Sequence, residues 1–488
     1  MAAYSLRLVA HGWFCLDYAV VGLVALLLPR SLTPALLGFS IALDMLNGIS
    51  ETFYMGPADI LRSPRALSSY ALGRDFMIGV VLLVTVAVAL SSRLLLRPCG
   101  QPFARTKAAV ALVLFATTCV SLDAAESGTY LRRLLALTTA SPVDTWNLAH
   151  FQHLRSSRYP ARRLVIEQLF ENRVERLARR APLRAADSPS ATSIAFNAPQ
   201  FQAISHGQKP NIVLIVVESW GFALDSSLRN AFLSAYESRK LGDRYTVLNG
   251  TVPFYGSTVP GEVRALCSSK DGFEILHASS SELRRCLPET LAAEGYREIA
   301  LHGMDGHLFD RARWYSELGF NTILFRDDFR KMGQPDCPGA FRGTCDSAVA
   351  SWIGAQLQAP SKQPTFIYWL TLNSHLPVPT PPLLADPAPC SNSDALRKYP
   401  ALCAWYQLEM NVHRAIAEIA SNSANRPTAF IVVGDHAPPF SNPDLRASFA
   451  QDVVPYLILI PREASEDSGR DAPLKAGIRS NSEDRPGN

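Results

Sequence analysis

Four short apolar runs between residues 211 and 433 of this 488-residue chain are each followed by residues that can bind metals or move protons. The runs and their polar followers are NIVLIVV (211–217) with Glu218, REIAL (297–301) with His302 and Asp305, TFIYWLTL (365–372) with Asn373 and His375, and AFIVV (429–433) with Asp435 and His436. Such runs, alternating with helical stretches, predict an α/β domain whose largely parallel sheet is sandwiched by helices. We expect this domain to span residues 209–463.

Ligands of open α/β sheets bind just outside the carboxyl ends of the strands. If the four runs are neighbouring parallel strands, the polar residues that follow them converge on one crevice. A single carboxylate after a strand, such as Glu218, is usually a helix cap or a solvated loop residue. Four such endings together predict a metal or catalytic site.

Two carboxylates and one imidazole among these residues form a ligand set suited to Zn²⁺ or Mn²⁺. They belong to Glu218, Asp435 and His436. The segment at 254–267 (FYGSTVPGEVRALC) offers hydroxyl groups in a turn that leads into a predicted helix. At a helix start, the metal and the backbone N–H groups would favour an alkoxide and bind an anionic phosphate.

The N-terminal region is the most apolar part of a chain that is 48% hydrophobic and only 18% charged. Stretches close to the length of a membrane span occupy residues 12–29, 76–92 and 108–122. A shorter stretch at 33–49 is compatible with a fourth span, a re-entrant segment or an interfacial helix. A cleaved signal peptide explains only one such segment. We therefore predict a helical membrane anchor of three or four spans over residues 1–123.

The charges of the short loops predict the orientation of this anchor. The loop at 93–107 carries four basic residues and no acidic one, which places it in the cytoplasm. The basic residues between positions 62 and 74 favour the opposite orientation and are partly offset by acidic neighbours. We expect everything after residue 123 to lie outside the cytoplasm.

The cysteines in the second half of the chain form an even set. They are Cys267, Cys286, Cys337, Cys345, Cys390 and Cys403. Because none has the CxxC spacing of a zinc knuckle or redox motif, we predict three disulfides in an oxidising compartment, paired between nearest neighbours. Scattered free thiols are the alternative.

Two further segments connect and end the domain. Residues 124–208 are a basic linker, in which 161–181 has the periodicity of an amphipathic helix. That helix would lie either on anionic lipid headgroups or against its own catalytic domain. The tail at 464–488 is polar without periodicity and is predicted to be disordered. The net charge is only +4, and no basic run is interleaved with aromatic residues, so nucleic acid is not an expected partner.

Five motifs, in this order, resemble those of lipoteichoic acid synthases and related phosphoglycerol transferases of the alkaline phosphatase and sulfatase superfamily. They are VESWG (217–221), GSTVPGEV (256–263), HGMDGHLFDRARWYSELGF (302–320), NSHLP (373–377) and VGDHAP (433–438). The resemblance implies that Thr258 is the nucleophile and the fourth metal ligand. The family places its nucleophile four residues before a glutamate, and Glu262 stands at that spacing. This favours Thr258 over Ser257.

The same resemblance assigns a substrate-binding stretch to His302, Asp305, Phe309 and Arg311. In the family, the arginine clamps the phosphate through paired N–H donors. Phe309 stands where an aromatic residue, usually tryptophan, lines the glycerol pocket. His375 resembles the histidine that contacts the transferred phosphoryl group and is the expected proton donor to the leaving lipid.

The implied activity is metal-dependent transfer of phosphoglycerol from a phospholipid to a cell-envelope glycan or polymer, through a phosphothreonine intermediate. One divalent ion, Mn²⁺ or Zn²⁺, and phosphatidylglycerol as donor are expected. The implied location is the bacterial inner (cytoplasmic) membrane, with a multi-pass anchor and a periplasmic catalytic domain.

Three alternatives stand beside this function. Phosphoethanolamine transferases, which use phosphatidylethanolamine and modify lipid A or a glycan, share the anchor and the threonine, and six ectodomain cysteines favour them. A sulfatase-like hydrolase that acts as a phosphodiesterase is the second; hydrolysis of sulfate esters is disfavoured because Thr258-Val-Pro260-Gly-Glu262 lacks the convertible Cys or Ser and the Arg of the C/S-x-P-x-R motif. A non-catalytic, sulfatase-like scaffold is the third, and the intact metal ligands argue against it.

Overall fold

The computed structural model describes residues 16–27, 102–126 and, with short internal gaps, 183–462, together with a few residues between 32 and 41. The predicted span at 76–92, most of the segment at 33–49, the amphipathic stretch at 161–181 and the tail at 464–488 lie outside the described residues. The structural description below concerns the described residues.

Among the helices whose bounds the structure describes, α1 (Leu16–Leu27) and α2 (Pro102–Glu126) lie in the predicted N-terminal anchor region and at its edge. They coincide with the apolar stretches at 12–29 and 108–122. Across the described part of the chain, no helix meets the combined requirements of length and apolar content for crossing a membrane.

The other α-helices whose bounds the structure describes lie between residues 191 and 447. They are α3 (Ala191–Asn197), α4 (Pro199–His206), α5 (Ser226–Ser234), α6 (Arg239–Arg244), α7 (Thr258–Cys267), α8 (Ser280–Leu283), α9 (Leu287–Ala293), α10 (Arg311–Glu317), α11 (Arg326–Lys331), α12 (Asp346–Gln358), α13 (Asp394–Lys398), α14 (Pro400–Asn422) and α15 (Pro443–Ala447). The strands are β1 (Asn211–Val217), β2 (Tyr245–Pro253), β3 (Arg297–His302), β4 (Thr322–Leu324), β5 (Asp336–Cys337), β6 (Gly343–Thr344), β7 (Thr365–Leu370), β8 (Thr428–Gly434) and β9 (Val453–Pro461).

Seven of the described strands form one sheet in the order β2-β9-β8-β1-β7-β3-β4. The pairs β8-β1, β1-β7, β7-β3 and β3-β4 are parallel. Strand β9 runs antiparallel to both β8 and β2. The predicted α/β fold with a largely parallel sheet is confirmed.

The central strands are buried on both faces. Every residue of β1, β7 and β8 is buried, as expected for apolar parallel strands that are covered by helices on each side. Because side chains alternate along a strand, residues 213, 215 and 217 join one apolar core and residues 212, 214 and 216 join the other. Helix α14 covers the first face, with Trp405 and Ile416, and helix α7 covers the second, with Val259 and Val263.

The strand order fixes where the functional residues meet. The four runs singled out in the sequence become β8, β1, β7 and β3, which are consecutive neighbours in the sheet. Their carboxyl ends therefore lie side by side at one edge, and the loops that follow them form one crevice.

Three disulfides join the cysteines of the second half of the chain in the predicted nearest-neighbour order. They are Cys267–Cys286, Cys337–Cys345 and Cys390–Cys403. The first ties the last residue of α7 to the start of α9, and the second closes the β5-β6 hairpin immediately before α12. Two of the three disulfides thus fix segments that border the crevice.

Candidate active site

Glu218, Asp435 and His436 form a buried cluster at the ends of β1 and β8. One ligand atom from each lies within 4.8 Å of the others. The register of β1 with β8 explains why these side chains are close. Val217 pairs with Gly434, so Glu218 and Asp435 follow the two strands at the same level of the sheet. The three residues predicted as metal ligands are therefore adjacent.

The polar atoms of this cluster fit a divalent cation. His436 Nε2 lies 3.2 Å from Glu218 Oε1 and 3.4 Å from Asp435 Oδ2. The Asp435 Oδ2 atom is buried and accepts no hydrogen bond, which costs free energy unless a cation satisfies it. His436 Nδ1 lies 2.9 Å from Ala437 O; this bond fixes the ring so that Nε2 faces the carboxylates.

Opposing charges shift the pKa values in the cluster. Burial and the negative Glu218 raise the pKa of Asp435 to about 8. Burial alone would lower the pKa of His436, but Asp435 and Glu218 raise it to about 9. Burial would likewise raise the pKa of Glu218, but His375 and His436 hold it below its usual value. The cluster therefore attracts positive charge, which a divalent ion supplies.

The loop after β1 contains a residue that the sequence did not single out. Ser219 is buried and has a left-handed backbone (φ 63°). Its N–H donates to Asp435 Oδ1 at 2.7 Å, and its hydroxyl donates to Glu218 Oε1 at 3.0 Å. A strained conformation of this kind, which costs about 1–3 kcal/mol, persists where the surroundings over-determine it. Ser219 thus holds both carboxylates in place.

Hydroxyl groups from the neighbouring loop fix the backbone of Glu218. Thr371 Oγ1 accepts from Glu218 N at 2.9 Å, and Ser374 Oγ donates to Glu218 O at 2.6 Å. Asp346 in turn accepts from the N–H groups of Leu372 and Asn373. Burial raises the pKa of Asp346 to about 7. Thr371, Ser374 and Asp346 lie far from Glu218 in the chain. Their only signal in the sequence is a hydroxyl or carboxylate close to the end of a predicted strand.

Thr258 is the first residue of α7, and its hydroxyl meets the cluster. Its Oγ1 donates to Glu218 Oε2 at 3.1 Å and lies 3.4 Å from His436 Nε2. Ser257 is the N-cap residue but makes no side-chain capping bond. A Cβ at Gly261 would lie 2.9 Å from the Asp435 Cα atom, so glycine allows the first turn of α7 to approach Asp435. The structure thus places the Thr258 hydroxyl at a helix start beside the candidate metal ligands.

A pocket opens beside Thr258. Its polar lining consists of Glu218, Ser257, Thr258, His302, Arg311 and His375. Its apolar lining consists of Met304, Leu308, Phe309, Phe341, Leu370 and Leu372. Four of the predicted substrate and catalytic residues besides Thr258 therefore line the pocket, namely His302, Phe309, Arg311 and His375.

The two pocket histidines are oriented by backbone carbonyl groups. His302 Nδ1 lies 3.0 Å from Leu370 O, and burial together with the charge of Arg311 lowers the pKa of His302 to about 3. His375 Nδ1 lies 2.7 Å from Leu376 O, which leaves Nε2 as the nitrogen that can face a ligand. Burial lowers the pKa of His375 as well. Both rings are neutral at physiological pH in this arrangement.

Arg311 has a partner that the sequence did not predict. Its Nε and Nη2 donate to Glu262 Oε2 at 3.0 and 2.7 Å, and both side chains are almost fully buried. Tyr315 and Tyr368 donate to the other oxygen of Glu262. Arg311 Nη1 makes only a 3.5 Å contact with Leu308 O. The Arg311 guanidinium thus reaches the pocket while being anchored to the helix that begins with Thr258.

Phe309 has a left-handed backbone (φ 55°), and its ring lies 5.1 Å from the guanidinium carbon of Arg311. Asp305 is not among the residues that line the pocket. Its carboxylate accepts from the N–H of His307 at 2.8 Å and closes the turn before Phe309. The physical reason is local: an aspartate at a turn bonds its own backbone two residues on.

Residues 210–482 match the Sulfatase family. The chain belongs to the sulfatase family. The superfamily resemblance inferred from the motifs is thereby confirmed, and a comparison with curated proteins gives no match.

Solved structures with a similar fold accompany this sulfatase-family assignment. The lipoteichoic acid synthase LtaP from Listeria monocytogenes is 14% identical over 61% of this chain and 72% of its own (TM-score 0.40). The phosphoglycerol transferase GacH from Streptococcus pyogenes, in complex with sn-glycerol-1-phosphate, is 17% identical over 57% and 77% (TM-score 0.36). The periplasmic domain of EptC from Escherichia coli, in complex with Zn, is 14% identical over 53% and 74% (TM-score 0.33).

Proposed function

We propose that this sulfatase-family chain is a metal-dependent phosphotransferase. It moves a phosphoglycerol group from phosphatidylglycerol to a glycan or polymer of the cell envelope, with a phosphothreonine at Thr258 as the intermediate. One observation carries the proposal: the Thr258 hydroxyl, at the start of α7, lies 3.1 Å from Glu218 and 3.4 Å from His436 in a buried cluster that attracts a cation.

The side chains support two successive displacements. In the first, Thr258 Oγ bonds to phosphorus while the neutral His375 Nε2 takes its hydroxyl proton, the bond from phosphorus to the diacylglycerol oxygen breaks, and His375 Nε2 delivers that proton to the leaving oxygen. In the second, a hydroxyl of the acceptor attacks the phosphothreonine, His375 Nε2 takes its proton, the bond from phosphorus to Thr258 Oγ breaks, and His375 returns the proton to Thr258 Oγ. Glu218, Thr258, Asp435 and His436 would hold a Zn²⁺ or Mn²⁺ ion, which would stabilise the alkoxide and the phosphoryl charge.

Arg311 and the start of α7 provide the remaining charge. The N–H groups at the start of a helix favour anionic groups, and the Arg311 guanidinium lines the same pocket. Burial would lower the pKa of Arg311, but Glu262 keeps it above its ordinary value, so the guanidinium stays charged. An anionic phosphodiester between Thr258 and Arg311 is therefore electrostatically favoured.

Sulfate ester hydrolysis is not part of the proposal. The residue beside the cluster is a threonine, which cannot become formylglycine, and a threonine hydroxyl suits a phosphoester intermediate.

The charges of the pocket favour glycerol over ethanolamine as the head group. Among the described lining residues, the only carboxylate is Glu218, which belongs to the metal cluster, and Arg311 adds a positive charge. An ammonium group would find no acidic partner there. Phosphoethanolamine transfer is the second candidate, because the rings of Phe309 and Phe341 line the pocket and aromatic faces attract ammonium groups.

Membrane attachment and an extracytoplasmic catalytic domain are also proposed. Three disulfides support an oxidising compartment, and the apolar stretches before residue 123 support an anchor. A lipid donor is delivered most readily to an enzyme held at the membrane surface.

Lipid turnover tests the proposed function. The purified full-length protein is incubated separately with labelled phosphatidylglycerol and phosphatidylethanolamine, and diacylglycerol release is measured. We expect release from phosphatidylglycerol, its loss in Thr258→Ala, and its retention in Ser257→Ala. Turnover of neither lipid, or equal turnover by the Thr258→Ala variant, contradicts the proposal. A protein that also fails to take up Zn²⁺ or Mn²⁺ is instead a scaffold.

A further inference from the structure

The loop between β5 and β6 forms a part of the pocket that the sequence motifs did not include. It is closed by the Cys337–Cys345 disulfide and carries Phe341, whose side chain is 6% exposed and lines the pocket beside Thr258. We call residues 337–345 the disulfide loop. None of the predicted catalytic or substrate residues lies on it.

Backbone contacts dock the disulfide loop against the sheet edge. Thr344 N donates to Gly303 O at 2.8 Å, in the segment that follows β3. A Cβ at Gly343 would lie 2.5 Å from Gly303 O and 2.3 Å from Leu372 Cδ2, so the loop packs against the ends of both β3 and β7. The position of Phe341 is therefore set by the disulfide on one side and by the strand ends on the other.

The Phe341 ring contacts the histidine that the mechanism uses as proton donor. The ring centroids of Phe341 and His375 are 4.6 Å apart, with an interplanar angle of 80°. This edge-to-face arrangement and the bond from His375 Nδ1 to Leu376 O orient the imidazole from two sides. His375 is only partly buried, so loss of the ring contact would give it rotational freedom.

Phe341 also shapes the apolar wall of the pocket. Together with Met304, Leu308 and Leu372 it forms a small core cluster that is separate from the two main cores, and Phe309 packs against it. The wall therefore has a defined shape within reach of the reacting groups. This wall would select the head group that binds next to Thr258 by its size and charge.

We propose that Phe341 is a specificity-determining and positioning residue: from the disulfide loop it forms the wall against which the donor head group lies and holds the His375 ring in place. This inference rests on the proposed function for the identity of the head group, glycerol rather than ethanolamine. The contact between Phe341 and His375 does not depend on that identity.

Head-group preference tests the first half of the inference. In Phe341→Leu, the ratio of kcat/KM for phosphatidylglycerol to that for phosphatidylethanolamine is expected to change about 10-fold, the size of effect typical of a reshaped hydrophobic pocket. Phe329→Leu is the matched control, since Phe329 is buried against Trp352 and does not line the pocket. An unchanged ratio in Phe341→Leu overturns the inference, because mere loss of stability slows both lipids alike.

A disulfide pair provides a second test that leaves Phe341 itself intact. Cys337→Ser with Cys345→Ser frees the loop and should shift the ratio in the same direction as Phe341→Leu. The control is Cys390→Ser with Cys403→Ser, which removes a disulfide whose cysteines do not line the pocket and should leave the ratio unchanged. Equal ratios in both double variants contradict the role of the disulfide loop.

A lipid-free measurement separates this inference from the proposed function. In histidine-labelled protein, the NMR signal of the His375 ring, assigned with His375→Gln, feels the ring current of Phe341. We expect it to move in Phe341→Leu, to stay near its wild-type position in Phe341→Tyr, and not to respond to Phe329→Leu. A signal unmoved in Phe341→Leu overturns the inference even if the lipids are turned over. A wild-type protein that turns over neither lipid refutes the proposed function while a moving signal still supports the positioning role.

Discussion

Replacing Glu262 by glutamine removes one charge from a buried ion pair whose arginine, Arg311, lines the pocket. The Glu262 and Arg311 side chains are 0% and 2% exposed, and two N–H groups of Arg311 donate to Glu262 Oε2. Glutamine has nearly the same shape and keeps one carbonyl oxygen, which can still accept from Tyr315 and Tyr368. The amide cannot satisfy the guanidinium, so a buried positive charge is left without its partner.

The expected cost follows from that uncompensated charge. Removing one partner of a buried ion pair typically costs about 3–5 kcal/mol, and both charge-assisted hydrogen bonds are lost here. The surface pair Arg313–Glu317 has nearly the same contact distance, 2.7 Å, but its side chains are 34% and 29% exposed. Glu317→Gln should therefore cost only about 0–1 kcal/mol. The contrast between the two variants isolates burial from hydrogen-bond length.

Denaturant unfolding of the full-length protein, followed by tryptophan fluorescence, measures both variants. We expect the midpoint to fall far more in Glu262→Gln than in Glu317→Gln. Adding Arg311→Met to Glu262→Gln should recover part of the loss, because no unpaired charge remains buried. A cost for Glu262→Gln no larger than that for Glu317→Gln would refute the reasoning.

Three further predictions follow from the site and its surroundings. Gly261→Ala should weaken metal binding at least severalfold, as measured by calorimetry, because the added Cβ would collide with the backbone of Asp435. Gly354→Ala is the control, since its added Cβ would have no neighbour nearer than 3.9 Å and should leave metal affinity unchanged. Equal metal affinities in the two variants would contradict this prediction. Chelation should lower the thermal midpoint and Zn²⁺ or Mn²⁺ should restore it, because the ion satisfies a buried carboxylate oxygen; a midpoint indifferent to chelator contradicts the metal site. Burial lowers the pKa values of His302 and His413 from 6.5 to about 3. The unfolded chain therefore binds more protons than the folded chain below pH 6.5. The free energy of unfolding should fall on acidification below that pH, by up to about 1.4 kcal/mol per pH unit for each histidine. His413→Gln should flatten that dependence in denaturant titrations at pH 7 and pH 5, and equal slopes contradict it.

The sequence predicts the sheet and the cluster because both depend on local signals. Apolar runs of five to eight residues are typical of buried parallel strands, and the polar residues after them meet once the strands are neighbours. The close approach of Glu218 to Asp435 needs only the register of β1 with β8. The nearest-neighbour disulfides could also be predicted, because closing a short loop costs little conformational entropy.

Contacts between residues that are distant in the chain could not be predicted from these local signals. The partner of Arg311 is Glu262, 49 residues away, and nothing in either motif marks the pair. The left-handed backbone of Ser219 has no sequence signal, since serine gives no such preference. Asp305 lies in the predicted motif, but its carboxylate accepts a hydrogen bond from the N–H of His307 and so stabilises the local turn.

The mass of the Thr258 peptide tests the central claim most directly. The metal-loaded protein is incubated with phosphatidylglycerol in the absence of any acceptor, then digested and analysed by tandem mass spectrometry. We expect a glycerol phosphate adduct on Thr258 that disappears in Thr258→Ala and survives Ser257→Ala. Diacylglycerol release with no adduct, or an adduct on Ser257 instead, would contradict the account.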